Sequence, residues 1–299
     1  MEYWSVGFRT NPILHHSITP TLQFIGEPLT VHVFAKLGDF MKIMFLSYSP
    51  RGKSRDRFDN ESQRQLENYA SPGTEIVLAE PEDQGGGAVD KRLSEETAIN
   101  GLHHILRVPA LIKKVVEAER AGFDAVIQSN TYDPGVEQAR LAVRIPVVGI
   151  MRASCHVAAC LAHRIGITIL VESMIPYTRS ILREYGLTPL ISGIKALNMY
   201  ETGDLAKVRE PIKQKVIQLA KELKSEGAEV VIPLGGRVFP GAISCEEIEA
   251  EAGVPILNTK AIGIQFTEML VRNRMSHSPI AYPCRIPLAP EDFTKKMFP

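Results

Sequence analysis

The sequence predicts an α/β protein in which two similar parallel-sheet units face each other across a cleft. Short apolar runs that suit buried strands alternate with segments of helical spacing, a pattern typical of parallel sheets with helices on both faces. Residues 121–135 (AGFDAVIQSNTYDPG) also align with residues 226–241 (EGAEVVIPLGGRVFPG), and a helix and a further strand follow each segment. This internal repeat predicts two Rossmann-like domains related by a pseudo-twofold axis, with the active-site cleft between them.

The strands are predicted from continuous Val, Ile and Leu runs, which suit strands buried on both faces. In chain order they cover residues 43–47, 75–79, 124–128, 146–150, 167–171, 190–197, 229–233 and 255–258. Between them, residues 108–121 place apolar side chains on one side of a helix and Lys and Glu on the other. Gly122, Gly186 and Gly227 stand where helices should end, because glycine adopts the left-handed conformation that closes a helix.

The same alternation predicts the domain organisation. Residues 41–150 are expected to form the first α/β domain, which residues 259–299 complete, and residues 151–258 the second. Residues 1–40 contain the single Trp and scattered Pro without a clear periodicity, and are expected to be an N-terminal extension. The Pro-rich tail 275–299 is expected to wrap a surface as extended chain.

Composition and charge exclude several function classes. The 34 Lys and Arg residues balance the 34 Asp and Glu residues, which argues against a broad nucleic-acid surface. No apolar run approaches the roughly 18–20 residues of a membrane span, and the N-terminus lacks the pattern of a signal peptide. The 4 cysteines are sparse for a disulfide framework. We therefore expect a cytoplasmic protein that binds neither nucleic acid nor membrane, and a homo-oligomer.

Both repeated segments end a strand in small or polar residues, which we call the first tip (129–131) and the second tip (235–237). Ligands of open α/β sheets bind beyond the carboxyl ends of the strands, so the two tips should meet around one small ligand. Ser129 would act there as a nucleophile or hydrogen-bond donor, or else simply end the strand. Asn130 and Thr131 would donate hydrogen bonds to a carboxylate or carbonyl group, or cap the following helix.

The second tip offers no reactive side chain apart from Arg237. Its guanidinium would clamp a carboxylate with two hydrogen bonds, or else lie on the surface. Gly235 and Gly236 leave room for a bulkier substrate or for close approach of the backbone. Glu172, which follows another predicted strand, would serve as an acid or base at the rim of the cleft, or else as a helix N-terminal charge.

At these residues the chain resembles the aspartate/glutamate/hydantoin racemase superfamily, most of all its hydantoin and allantoin racemase branch. The resemblance rests on four segments: SNTYDPGVEQARLAVRIPVVGI (129–150), RSILREYGL (179–187), PLGGRV (233–238) and GVPILNTKAIGIQFTEML (253–270). It implies a cofactor-independent racemase or isomerase that acts on a small carboxylate or cyclic amide, such as an amino acid or a hydantoin. It also implies that Ser47 and Ser49, where the branch has Asn-Pro-Asn, contact the substrate.

In that superfamily two cysteines flank the substrate α-carbon, and this chain has neither. Ser129 stands at the first cysteine position when the Ser-Asn-Thr triplet is aligned, and Asn130 when Asp-Pro-Gly is aligned; Gly236 stands at the second. A decarboxylase, lyase or hydrolase of the same fold, acting through Ser129, Asn130 and Arg237, is therefore an alternative to a racemase. A non-catalytic small-molecule binding protein is the alternative of a different class.

Other motifs are assigned no function. Cys155 and Cys160 lie five residues apart, which is not zinc-ligand spacing, and are expected to be buried structural thiols. SPRGKS (49–54) lacks the first glycine of a phosphate-binding loop. His103 and His104 stand at a helix start without a third ligand at metal-binding spacing. No metal and no cofactor are expected.

Overall fold

The computed structural model describes residues 40–48, 56–82, 89, 91–93, 99–199, 205–235 and 237–293. The predicted N-terminal extension thus lies outside the described residues, apart from Phe40. Two sheets, both entirely parallel, follow one another along the chain. The first has the order β2-β1-β3-β4 and the second β6-β5-β7, which confirms the predicted α/β class.

The strands are β1 (Met41–Leu46), β2 (Thr74–Ala79), β3 (Ala125–Gln128), β4 (Val147–Gly149), β5 (Ile165–Ile169), β6 (Ile191–Ala196) and β7 (Val230–Pro233). The helices between and after them are α1 (Asp56–Tyr69), α2 (Leu102–Arg120), α3 (Val136–Arg140), α4 (Ile150–Leu161), α5 (Ile175–Glu184), α6 (Leu205–Ser225), α7 (Cys245–Ala252) and α8 (Thr259–Arg272). The glycines predicted to end helices follow α2, α5 and α6 and have φ angles of 77°, 74° and 95°.

The prediction of a strand at residues 255–258 is wrong. Ile256 makes a single parallel bridge to Val231 of β7, and the chain then enters α8 at once. Two features keep this pairing short. Pro255 has no N–H to donate to a sheet, and Asn258 turns the chain into the helix by accepting a hydrogen bond from the Ala261 amide at 3.0 Å.

Helices cover each sheet on both faces, which is why the strands are apolar along their whole length. Val126 and Val147 pack with α2 and α3, whereas Ile43 and Ile127 pack with α1 and α8 on the opposite face. In the second sheet, Ile167 and its neighbours pack with α4 and α5. Val231 lies in a separate cluster with α6 and α7. Each sheet therefore has its own core.

The end of the described chain lies against the first sheet's helices. Leu288 and Phe293 pack against the α2 side of that core, and the Arg120 guanidinium donates to the Leu288 carbonyl at 3.1 Å. This placement agrees with a first domain that residues 259–299 complete. The domain boundaries themselves stay a prediction.

Asp133 connects the first tip to the second unit of the fold. Its carboxylate accepts hydrogen bonds from the Met151 and Arg152 amides at the start of α4, at 2.9 Å and 2.8 Å. It also accepts one from the Tyr185 hydroxyl, directly after α5, at 2.7 Å. Burial raises the pKa of Asp133 to about 6, and the three donors oppose this rise. The Asp of Asp-Pro-Gly thus holds the first tip against α4 and against the end of α5, the first two helices of the second unit.

Gly149 makes room for this carboxylate, which gives a prediction. A Cβ atom at Gly149 would lie 2.3 Å from Cγ of Asp133, so an alanine must displace the carboxylate and its three hydrogen bonds. We expect Gly149→Ala to lower the free energy of unfolding by about 3 kcal/mol, measured by urea denaturation. Gly193→Ala is the matched control, because its Cβ would meet the flexible end of Leu223 and should cost about 1 kcal/mol or less. Equal losses in the two variants would contradict the role given to Asp133.

Candidate active site

The backbone of the first tip is fixed by short-range hydrogen bonds. The Ser129 amide donates to the Leu46 carbonyl at 2.9 Å, which places the tip beside the end of β1. The Asn130 amide donates to the Gln128 side chain, and the Asn130 carboxamide oxygen accepts from the Tyr132 amide at 2.9 Å. Two side-chain groups of this turn, the Ser129 hydroxyl and the Nδ2 amide nitrogen of the Asn130 side chain, have no hydrogen-bond partner in the described part of the chain. Both side chains are partly exposed, so both are available to a ligand.

The two tips touch, as the repeat predicts. The Gly235 amide donates a hydrogen bond to the Thr131 hydroxyl at 3.2 Å, and Thr131 is buried. Gly235 has a φ angle of 121°, a conformation that L side chains rarely adopt. Its carbonyl accepts from the Val238 and Phe239 amides and so starts the turn Arg237–Ala242. The ends of β3 and β7, which belong to different sheets, therefore meet in one place.

The other predicted site residues are distributed around this contact. Ser47 directly follows β1, and its amide donates to the Ala79 carbonyl at 2.7 Å. Because the Leu46 carbonyl binds the Ser129 amide, Ser47 lies next to the first tip. Ser49 and Gly236 lie outside the described residues. For Arg237 the backbone is described, at the start of the turn that follows the second tip.

Glu172 is not brought to either tip by a direct contact. It begins a short 3₁₀ turn, Glu172–Met174, at the carboxyl end of β5, and its side chain is exposed. Its backbone N–H is not free to donate to a ligand, because it already donates to the Asn198 side-chain oxygen at 3.0 Å. Its carboxylate makes no hydrogen bond or ion pair within the described ranges. A catalytic role for Glu172 stays a prediction.

Sequence reasoning missed Lys260, which lies in the first turn of α8. Its ammonium group is 3.3 Å from the Gln65 carboxamide oxygen, and the Gln65 amide nitrogen donates to the Pro240 carbonyl at 2.9 Å. Gln65 therefore joins α1, α8 and the turn after the second tip. Burial lowers the pKa of Lys260 to about 8. The signal was present in the sequence, because Lys260 follows Asn258 at the carboxyl end of the segment predicted as the last strand.

The histidine pair forms an aromatic cluster at the start of α2. The His104 ring lies 5.0 Å from the Tyr48 ring and 5.3 Å from the Tyr132 ring, between centroids. Burial lowers the pKa of His104 to about 2, so its imidazole is neutral at pH 7. No group of three or more His, Cys, Asp or Glu residues that could hold a metal ion occurs in the part of the chain that is described.

The prediction of two buried thiols is wrong for Cys160. Cys155 is fully buried, and burial raises the pKa of its thiol to about 12, whereas Cys160 is exposed. Five residues correspond to a rotation of about 140° around an α-helix, so the two side chains cannot face the same core.

A cavity of about 150 Å³ lies beside the first tip, between α2, α3 and α5. Its walls include Tyr132, Asp133, Tyr177 and Tyr185, but none of Ser129, Asn130, Thr131 and Gly235. The Asp133 carboxylate in its wall is already bound by three donors. The cavity therefore lies apart from the predicted residues of the first tip.

The geometry of two converging tips agrees with a comparison against known families. The model of the Asp/Glu/Hydantoin racemase family matches residues 63–267 of this chain, a range that includes both tips. The chain belongs to the Asp/Glu/hydantoin racemase family. The predicted family and the predicted racemase-type enzyme are thereby confirmed.

Individual members of the family are distant from this racemase-family protein in sequence. It is 25% identical over 207 residues to a hydantoin racemase of Pseudomonas sp. (strain NS671), covering 68% of this chain and 76% of the relative. It is 23% identical over 173 residues to a hydantoin racemase of Rhizobium meliloti, covering 57% of this chain and 70% of the relative. The allantoin racemase structure from Pseudomonas fluorescens superposes with a TM-score of 0.69 at 24% identity, over 83% of this chain and 99% of that chain. The structural likeness confirms the two-domain racemase fold.

Among the described helices, none combines the length and the apolar character that crossing a bilayer requires.

The contact between the tips gives a second prediction. Thr131→Val keeps the shape of the side chain but leaves the Gly235 amide without its acceptor, which should cost about 1 kcal/mol of unfolding free energy. Thr131→Ser keeps the hydroxyl and should retain most of the stability. Urea denaturation measures both variants, and a valine variant as stable as the serine variant would show that the bond contributes nothing.

Proposed function

We propose that the protein racemises a small cyclic amide of the hydantoin type at a carbon atom next to a carbonyl group, without a cofactor. The proposal is carried by the bond between Thr131 and Gly235, which joins the two strand ends where the family binds its substrate. The curated relatives named hydantoin racemase and the solved allantoin racemases support a cyclic amide over an amino acid. The proposal also includes small carboxylates, such as amino acids, as a wider class of possible substrates.

Racemisation requires removal of a weakly acidic C–H proton and stabilisation of the enolate that forms. Hydrogen-bond donors aimed at the carbonyl oxygen stabilise this charge. In the first tip, the side-chain nitrogen of Asn130 and the Ser129 hydroxyl have no partner among the described residues and are free to donate. We assign these two groups the catalytic contact with the substrate, together with Glu172 as an acid or base at the rim of the cleft.

Substrate binding is assigned to the residues around the two tips. They are Ser47, Ser49, Thr131, Gly235, Gly236 and Arg237. Gly236 would offer space to the substrate ring, because it has no side chain. At Gly235 the Leu170 side chain already lies 3.0 Å from where a Cβ atom would stand, so this glycine would contribute its backbone. Arg237 would hold a carboxylate where the substrate carries one.

The missing thiols favour a second candidate function. Ser129 or Asn130, depending on the alignment, stands at the first family cysteine and Gly236 at the second, and none of them supplies a thiolate. A decarboxylase, lyase or hydrolase would use the same tips to stabilise a carbanion or oxyanion. A binding protein would keep the cleft without turnover.

The cellular setting belongs to the same proposal. All four cysteines are free, which fits a reducing compartment, and we place the protein in the cytoplasm. We also propose that it assembles as a homo-oligomer and binds neither nucleic acid nor membranes, in keeping with its zero net charge.

Hydrogen exchange at the substrate tests the proposed function. Single enantiomers of 5-substituted hydantoins, aspartate, glutamate and a malonate are incubated with the protein in deuterated water and followed by NMR. We expect exchange of the ring α-proton well above the spontaneous rate, together with loss of optical rotation. A ligand-induced rise in melting temperature without any exchange would instead identify a binding protein.

Replacement of Ser129 tests the first tip. Ser129→Ala should reduce the exchange rate by about 10²-fold or more, since positioned donors and acids commonly contribute this much. Ser180→Ala, on the exposed side of α5, is the matched control and should leave the rate unchanged. An unaltered rate in Ser129→Ala would remove this residue from the mechanism.

A further inference from the structure

Lys260 is a partly buried lysine that has no anionic partner among the described residues. It makes no ion pair with a described carboxylate, and its single polar contact within the described chain is the neutral Gln65 side chain. Other lysines of this protein behave differently. Lys195 and Lys213, for example, each pair with two glutamates, which raise their pKa values.

The environment of Lys260 favours its neutral form. Burial removes water from the ammonium group, and the start of α8 adds the positive end of a helix dipole. Two titratable groups contact the residues just before α8: Tyr69 hydrogen-bonds the Asn258 side chain, and the Cys245 thiol donates to the Leu257 carbonyl. Burial raises the pKa of both. Both are therefore neutral near pH 8, where about half of Lys260 is a free amine.

Gln65 fixes the side of the cleft on which this amine lies. Its amide nitrogen donates to the Pro240 carbonyl, which orients its oxygen towards the Lys260 ammonium group. Pro240 belongs to the turn that directly follows the second tip. In the sequence, this tip carries Gly236, which has no side chain, where the resemblance places a thiol.

We propose that Lys260 is the general base on the second-tip side of the cleft, an inference that rests on the proposed racemase function. The neutral amine removes the α-proton of the substrate: the C–H bond breaks, its electron pair moves into the adjacent carbonyl as an enolate, and an N–H bond forms. The enolate then takes a proton from a water molecule on its opposite face, the side of the first tip, which inverts the carbon centre. The Lys260 ammonium loses its proton to solvent, which neutralises the hydroxide left by that water and regenerates the neutral amine. Gln65 acts as the positioning residue.

Three variants test the base in the deuterium-exchange assay. Lys260→Met and Lys260→Arg should each reduce the exchange rate by at least about 10²-fold, because neither has a neutral amine. Small primary amines added to Lys260→Ala should restore part of the rate. Lys221→Met, exposed on α6, is the control and should match the wild type. Lys260→Met should unfold at no lower temperature than the wild type at pH 7, since it removes a desolvated charge.

The pH profile separates a base from a merely structural lysine. The wild-type rate should rise with pH to a half-maximum near 8. Gln65→Glu places a carboxylate beside the ammonium, which raises the lysine pKa and should move this half-maximum to higher pH. The substrate ionises in the same way in both assays, so a shift between the two pH profiles reports the titration of Lys260 alone.

A titration that needs no turnover completes the test. Lysines are reductively methylated with ¹³C-formaldehyde, and the Lys260 signal is assigned by its loss in Lys260→Arg. Its midpoint should lie near pH 8; a midpoint near 10.4, the ordinary lysine value, would overturn the inference. Exchange that persists in Lys260→Met, or full activity in Lys260→Arg, would also overturn it. Absence of exchange in the wild type would instead refute the proposed function, and with it the role of Lys260.

Discussion

The hydrogen bond from the Gly235 amide to the Thr131 hydroxyl is the contact on which the cleft depends, because it joins strand ends from two different sheets. Apolar packing also joins the two halves, because α4 contributes Ile150 to the core of the first sheet and Met151 to the core of the second. Two further links flank this bond, from Tyr185 to Asp133 on one side and through Gln65 to the second-tip turn on the other. These polar contacts, each worth about 1 kcal/mol, act together with the packing of α4 to set the geometry of the candidate site.

The two sides of this cleft differ chemically. The first tip is neutral and offers the Ser129 hydroxyl and the Asn130 side-chain nitrogen, which have no partners among the described residues. The second side has glycine and, next to Gln65, the ammonium group of Lys260. A desolvated cation without a counter-ion lowers the stability of a fold, and such local costs are concentrated at functional sites. The asymmetry suits a reaction in which one side stabilises the enolate oxygen and the other exchanges the proton.

The sequence predicted the parallel sheets and the meeting of the tips for definite physical reasons. Strands buried on both faces, such as β3 and β7, are continuous apolar runs, and carboxyl ends of parallel strands share one edge. The contacts of Asp133 with Tyr185 and of Gln65 with Lys260 were not predictable, since they join residues 52 and 195 positions apart. They depend on side-chain directions that only the packed fold sets. Two predictions were wrong for the same kind of reason. Whether residues 255–258 form a strand depends on how far they pair with β7, and whether Cys160 is buried depends on which side of α4 faces the core.

A crystal structure of the protein with a bound 5-substituted hydantoin tests the role of the tips most directly. We expect the ring between the first and second tips, with a carbonyl oxygen within hydrogen-bond distance of the Asn130 side chain and the α-carbon facing Lys260. A ring bound instead in the cavity lined by Tyr132, Tyr177 and Tyr185 would show that the meeting of β3 and β7 does not form the site.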